Sequence, residues 1–167
     1  MFEHLKKHSV IVVTGPQRSG TKITAMCVAH DTGHRFRGEA SFEIHDEKLF
    51  RRLLNKKNVV IQAPAMSHLV DELPDHVCVV FSFRPIKDII ASQDRVKWER
   101  ARGELIKYGI KEKVNVPVAV VKYIVWERQK AKITHWAESN YEELQSHELW
   151  RPPGPEREDT YKKEGPG

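Results

Sequence analysis

The chain has few cysteines, no long apolar run and no basic tract. Only two cysteines occur in 167 residues, Cys27 and Cys78. Both sit in apolar stretches, so two buried reduced thiols are expected rather than a disulfide framework or a metal pair. None of the valine- and isoleucine-rich runs exceeds five residues. That is strand length, far below a membrane span or a signal-peptide core. The expectation is a cytoplasmic protein with no membrane partner. No run of five or more Lys/Arg occurs and no basic–aromatic interleaving, so nucleic acid is not an expected partner. The net charge of +5 and pI near 9.2 suit an anionic ligand.

What is present reads as one domain over residues 1–150. A proline-, glycine- and charge-rich tail, RPPGPEREDTYKKEGPG, follows at 151–167 and is expected to be disordered. Apolar runs at 10–13, 59–61, 77–81 and, more weakly, 133–137 predict strands buried on both faces. Residues 34–37 alternate like an edge strand. Helical patterns fall at 21–30, 46–54, 87–108 with a break near Gly103, 118–132 after Pro117, and 141–150. Alternating strand and helix predict an α/β fold: three α/β/α layers around a roughly five-stranded, mostly parallel sheet. Ligands in such folds lie at the carboxyl ends of the strands.

One strand end carries Gly15-Pro-Gln-Arg-Ser-Gly20-Thr-Lys22, followed by a helix. Strand, glycine-bearing loop and helix make a phosphate site, because backbone N–H groups and the helix dipole face the anion. The usual nucleoside triphosphate loop places Lys before Ser/Thr, and here Thr21-Lys22 reverses that order. Neither core strand at 59–61 or 77–81 runs into an acidic residue for magnesium. The loop is therefore expected to hold phosphate with protein cations and no metal. A second strand end reads Arg84-Pro-Ile-Lys-Asp-Ile-Ile-Ala-Ser92. Arginine offers a forked donor for phosphate, and the serine hydroxyl eight residues on adds another bond.

Together these stretches resemble sulfotransferases that use 3′-phosphoadenosine 5′-phosphosulfate (PAPS). Arg18-Ser-Gly-Thr21 is similar to their 5′-phosphosulfate loop, and Arg84…Ser92 to their 3′-phosphate motif. The stretch 58–85 resembles their third and fourth strands, and Asn140-Tyr-Glu-Glu-Leu144 the motif after their last core strand. The resemblance spans about residues 9–145. It implies a metal-independent sulfuryl transfer from PAPS to a hydroxyl or amine of a small molecule or glycan, leaving 3′,5′-adenosine bisphosphate. It implies that Arg18 stabilises the leaving phosphate and that Ser19, Gly20 and Thr21 wrap it, with Lys22 an additional cation at the helix start. Arg84 and Ser92 would hold the 3′-phosphate. Glu39, in Arg37-Gly-Glu-Ala-Ser-Phe42, matches the glutamate base of some branches, and His68 is the substitute base.

Two departures stand out. Gln62-Ala63-Pro64 replaces the Lys-Thr-His of many members, and no basic, glycine-containing segment follows Trp150. A homo-oligomer in which a partner copy completes the site stays open. The alternatives are a phosphate-loop kinase or triphosphatase, and a non-catalytic nucleotide binder of the same fold.

Overall fold

A computed structural model describes residues 1–38 and 44–153. Its five strands are β1 (Val10–Thr14), β2 (Arg35–Arg37), β3 (Val59–Gln62), β4 (Val77–Phe83) and β5 (His135–Asn140). They form one sheet in the order β2-β3-β1-β4-β5, and every neighbouring pair is parallel. The expected α/β class and layered parallel sheet are therefore present. β1 is fully buried at the centre, as its unbroken Val-Ile-Val-Val run requires.

The side-chain alternation of β1 divides the core. Ile11 and Val13 face α1 (Thr21–Thr32), meeting Ile23, Met26 and Cys27. Val10 and Val12 face the opposite layer, meeting Phe50 and Leu53 of α2 (Glu47–Leu53). Asp46 starts α2 by accepting from the N–H groups of Lys48 and Leu49. On that same face, Trp126 of α5 (Val118–Gln129) stacks on Phe81 of β4 at 4.5 Å. Cys27 and Cys78 are buried free thiols, and burial pushes the Cys78 thiol up to about 11.

Three expectations change. The 87–108 helix is two helices, α3 (Ile86–Arg95) and α4 (Ala101–Lys107), and Gly103 lies inside the second. The break falls at 96–100, where Lys97 adopts φ 54°. The 141–150 helix reduces to a 3₁₀ turn at Glu143–Ser146. Tyr141, Leu144 and Leu149 each reach the α1 core, and that spacing is met by a bent chain rather than one helix face. The last strand lies two to three residues later than its apolar pattern, because β5 is an edge with exposed Trp136. Of the tail, only residues 151–153 are described. Among the described residues, no helix is long and apolar enough to cross a membrane.

Candidate functional site

The loop leaves β1 through Thr14, whose hydroxyl donates to Ala63 O at 2.9 Å and lies 2.7 Å from Ser67 Oγ. Gly15 packs on β4; a Cβ there would stand 3.0 Å from Ser82 O. Ser19 is turned inward, with its Oγ donating to Pro16 O. Its hydroxyl braces the loop, which leaves backbone N–H groups as the donors at this corner. The first N–H groups of α1 have no partner inside the helix and face the mouth of the loop. Thr21 is buried and accepts from Gln62 Nε2 at 3.4 Å, while Gln62 Oε1 is buried without a partner.

Gly20 is the tightest point. It has φ 96°, and a Cβ would stand 2.6 Å from Tyr141 Cδ2. Gly20→Ala is expected to cost roughly 2 kcal/mol from left-handed strain plus overlap with a buried ring. Urea melts of the two proteins measure this, and an unchanged midpoint would contradict the close approach.

The two sequence motifs meet. Arg18 Nε donates to Ser92 Oγ at 3.0 Å, joining the loop to α3 across 74 positions. Arg84 Nη1 donates to Arg18 O at 3.1 Å, and its guanidinium lies 4.2 Å above the Tyr141 ring. Tyr123 holds the Arg84 backbone from both sides: its hydroxyl accepts from Arg84 N and donates to Arg84 O, each at 2.9 Å. Burial pushes the Tyr123 phenol up to about 12, so it stays a donor. Arg95 adds a third guanidinium, with Nη2 3.3 Å from Ser92 Oγ.

Ser92 is 1% exposed and accepts from two guanidinium groups. A hydroxyl has two acceptor positions and one proton. Both acceptor positions are taken, which leaves the proton to be given to another group. Among the described residues, Arg84 and Arg95 have no carboxylate within ion-pair distance. Guanidinium groups without a carboxylate partner, gathered around the buried Ser92 hydroxyl, fit a phosphate-type anion. Beside Arg84 opens a cavity of about 340 Å³ between the ends of β4 and β5, lined by Phe83, Pro85, Asn140 and Tyr141 with Glu142 and Glu143.

Lys22 lies half-buried in the first turn of α1. His68 is half-buried on the 3₁₀ segment Pro64–Glu72, edge-on to Tyr108 at 6.2 Å. Burial first, then the Lys107 charge, lowers its pKa, and Nδ1 is buried without a partner. No described hydrogen bond joins it to the loop. Glu39 lies outside the described residues. The sequence reading did not find Arg95, Tyr123 or Tyr141 as parts of this site. Arg95 follows Ser92 by three positions on α3, a helical spacing that could have flagged it.

A second polar cluster sits away from the loop. Asp31 Oδ1 lies 3.0 Å from His30 Nδ1 and 2.8 Å from His147 Nε2, and Oδ2 accepts from Phe2 N. His34 is buried as well, with Nε2 2.7 Å from His8 O. The Asp31 trio has metal-like composition. Yet Leu149 N donates to His147 Nδ1, which places the ring proton on Nε2, where a metal would need a lone pair. The cluster instead pins the last turn to α1. Burial alone would raise the Asp31 pKa; donors from His30, Phe2 N and His147 outweigh it and hold the carboxyl at about 2. The folded chain thus binds this proton less readily than the unfolded one. Its stabilisation is complete above about pH 4 and is lost as pH falls toward 2. Asp31→Asn is expected to flatten that acid limb in pH-dependent urea melts; an unaltered limb would exclude Asp31 as its source.

No protein-family model matches the chain, and no curated protein matches it in sequence. Among solved structures, the chain is similar to shikimate kinase from Acinetobacter baumannii in complex with shikimate. The identity is 13% and the TM-score 0.52, covering 98% of this chain and 94% of that one. At this identity the likeness shows the fold alone: a P-loop kinase-like α/β fold.

Proposed function

We propose that the chain is a P-loop group-transfer enzyme of the PAPS-dependent sulfotransferase type, acting on a hydroxyl or amine of a small molecule or glycan. The observation that carries this reading is the junction of Arg18, Ser92 and Arg84, which unites the two phosphate motifs beyond the carboxyl ends of β1 and β4. The donor set fits a nucleotide with a phosphate monoester: three guanidinium groups and the Ser92 hydroxyl, with an open cavity beside Arg84. Bound there, the donor would supply an activated sulfuryl group. Arg84, Ser92 and Arg95 would hold its 3′-phosphate. Gly20, Thr21 and Lys22 would hold the 5′-phosphate at the start of α1, and Ser19, whose hydroxyl and amide both donate to Pro16 O, would shape the loop around it. Arg18 is exposed at the mouth of the loop, where its charge would stabilise an anionic leaving group more strongly as negative charge builds. Glu39 remains the proposed base, with His68 the substitute.

A second reading, a P-loop kinase, is favoured by the likeness to shikimate kinase. Against it stand the Thr21-Lys22 order and the ends of β3 and β4, which are Gln62 and Phe83 rather than acidic residues. Calorimetry with 3′,5′-adenosine bisphosphate and with ATP plus magnesium separates the two. Binding of the bisphosphate without metal is expected. Binding of ATP–magnesium alone would overturn the sulfotransferase reading in favour of the kinase.

A further inference from the structure

We infer that a buried Gln17–Glu104–Lys122 unit is the positioning device for Arg18. It fixes the residue before Arg18 so that the Arg18 guanidinium meets Ser92 and its carbonyl meets Arg84. For the ligand, the inference rests on the function proposed above; for the loop itself it does not.

Gln17 is 4% exposed and held at every polar group of its side chain. Its Nε2 donates to Glu104 Oε1 at 2.9 Å, and its Oε1 accepts from Lys122 Nζ at 3.0 Å. Its carbonyl accepts from Gln93 Nε2 at 3.2 Å. The next residue, Arg18, has φ 70°, a conformation that residues with side chains rarely adopt. Such a backbone persists only where its surroundings over-determine it. The clamp on Gln17 supplies that determination from one side, and the bonds of Arg18 to Ser92 and Arg84 supply it from the other.

The unit itself is costly to bury. The Lys122 side chain is 0% exposed, and its ammonium reaches Gln17 Oε1, Pro64 O at 2.8 Å and Glu104 Oε2 at 3.2 Å. Gln17 Oε1 and Pro64 O accept hydrogen bonds from it, while Glu104 Oε2, which accepts none, is paired with it by charge alone. Lys107 also pairs with Glu104, at 3.2 Å, and donates to Ala65 O. A buried ion pair is commonly no more stabilising than apolar residues of the same size. Fold stability alone therefore does not account for placing one here. Its contact with the phosphate loop falls on the residue that precedes the proposed working cation. Glu104 comes from α4, Lys122 from α5 and Gln93 from α3, so three helices converge on Gln17.

The test uses Gln17→Ala, which removes the loop end of the clamp and leaves the Lys122–Glu104 pair. The Ser19 amide, bonded to Pro16 O, reports the loop by hydrogen exchange. Its exchange is expected to accelerate about tenfold while the amides of β1 and β4 keep their protection. In parallel, Gln17→Ala is expected to weaken 3′,5′-adenosine bisphosphate binding about tenfold, and to have no effect in an Arg18→Ala background. A general structural role would lower affinity equally in both backgrounds, and that result would overturn the inference. Unchanged exchange at Ser19 would also overturn it. If the parent protein fails to bind the bisphosphate, the proposed function falls, and the exchange measurement still decides the positioning role.

Discussion

Lys122→Met is expected to lower stability by about 3 kcal/mol, because it leaves the buried Glu104 carboxylate with one cation fewer and strips the donor from Gln17 Oε1 and Pro64 O. The methionine fills most of the same volume, so the loss is electrostatic and polar rather than a cavity effect. The remaining Lys107 bridge is half-exposed on its lysine side and offsets only part of the charge. Pairing the change with Glu104→Leu removes the stranded carboxylate and is expected to recover about half of the loss or more. Urea denaturation of the single and double variants measures both effects. If the single variant is as stable as the parent, the Lys122–Glu104 pair contributes nothing as a pair. If the double variant is the less stable of the two, uncompensated charge is not the cause.

Arg84→Ala is expected to weaken binding of 3′,5′-adenosine bisphosphate about 100-fold, the scale for losing a charged hydrogen-bonding group in a partly desolvated site. Two consequences combine. A cation facing the phosphate is removed, and the Arg18 carbonyl loses the donor that fixes it. Arg84→Lys is expected to restore little, because an ammonium cannot both reach Arg18 O and lie flat on Tyr141. The fold should persist, since Tyr123 holds the backbone at this position rather than the side chain. Calorimetry on well-folded variants reads the change. Unaltered affinity in Arg84→Ala would remove this residue from the site and with it the 3′-phosphate assignment.

Sequence reading reached the sheet and missed the walls around it for definable reasons. The runs at β1, β3 and β4 are central strands buried on both faces, so each reads as a continuous apolar run rich in valine. β5 is half-exposed, and its apolar pattern is diluted by His135, Glu138 and Ser139. The split between α3 and α4 left no proline or glycine at the break. It arises at residues 96–100, with Lys97 in a left-handed turn that any local scan would assign to helix. Arg95 stayed hidden because a surface arginine on a helix carries no signal until Ser92 is seen to face the loop.

The sequence by itself determined the parallel sheet, the phosphate loop after β1, and the two motifs beginning at Arg18 and Arg84. Each of these is written in neighbouring residues: continuous apolar runs, glycines at a strand end, an arginine and serine at helical spacing. Only the tertiary structure decided that Arg18 meets Ser92, that Tyr141 closes over Gly20, and that Gln17 is clamped by Lys122 from 105 positions away. Those contacts cross between elements. Hydrogen bonding of buried groups is settled by which donors and acceptors the packed layers bring together, and no local pattern records that.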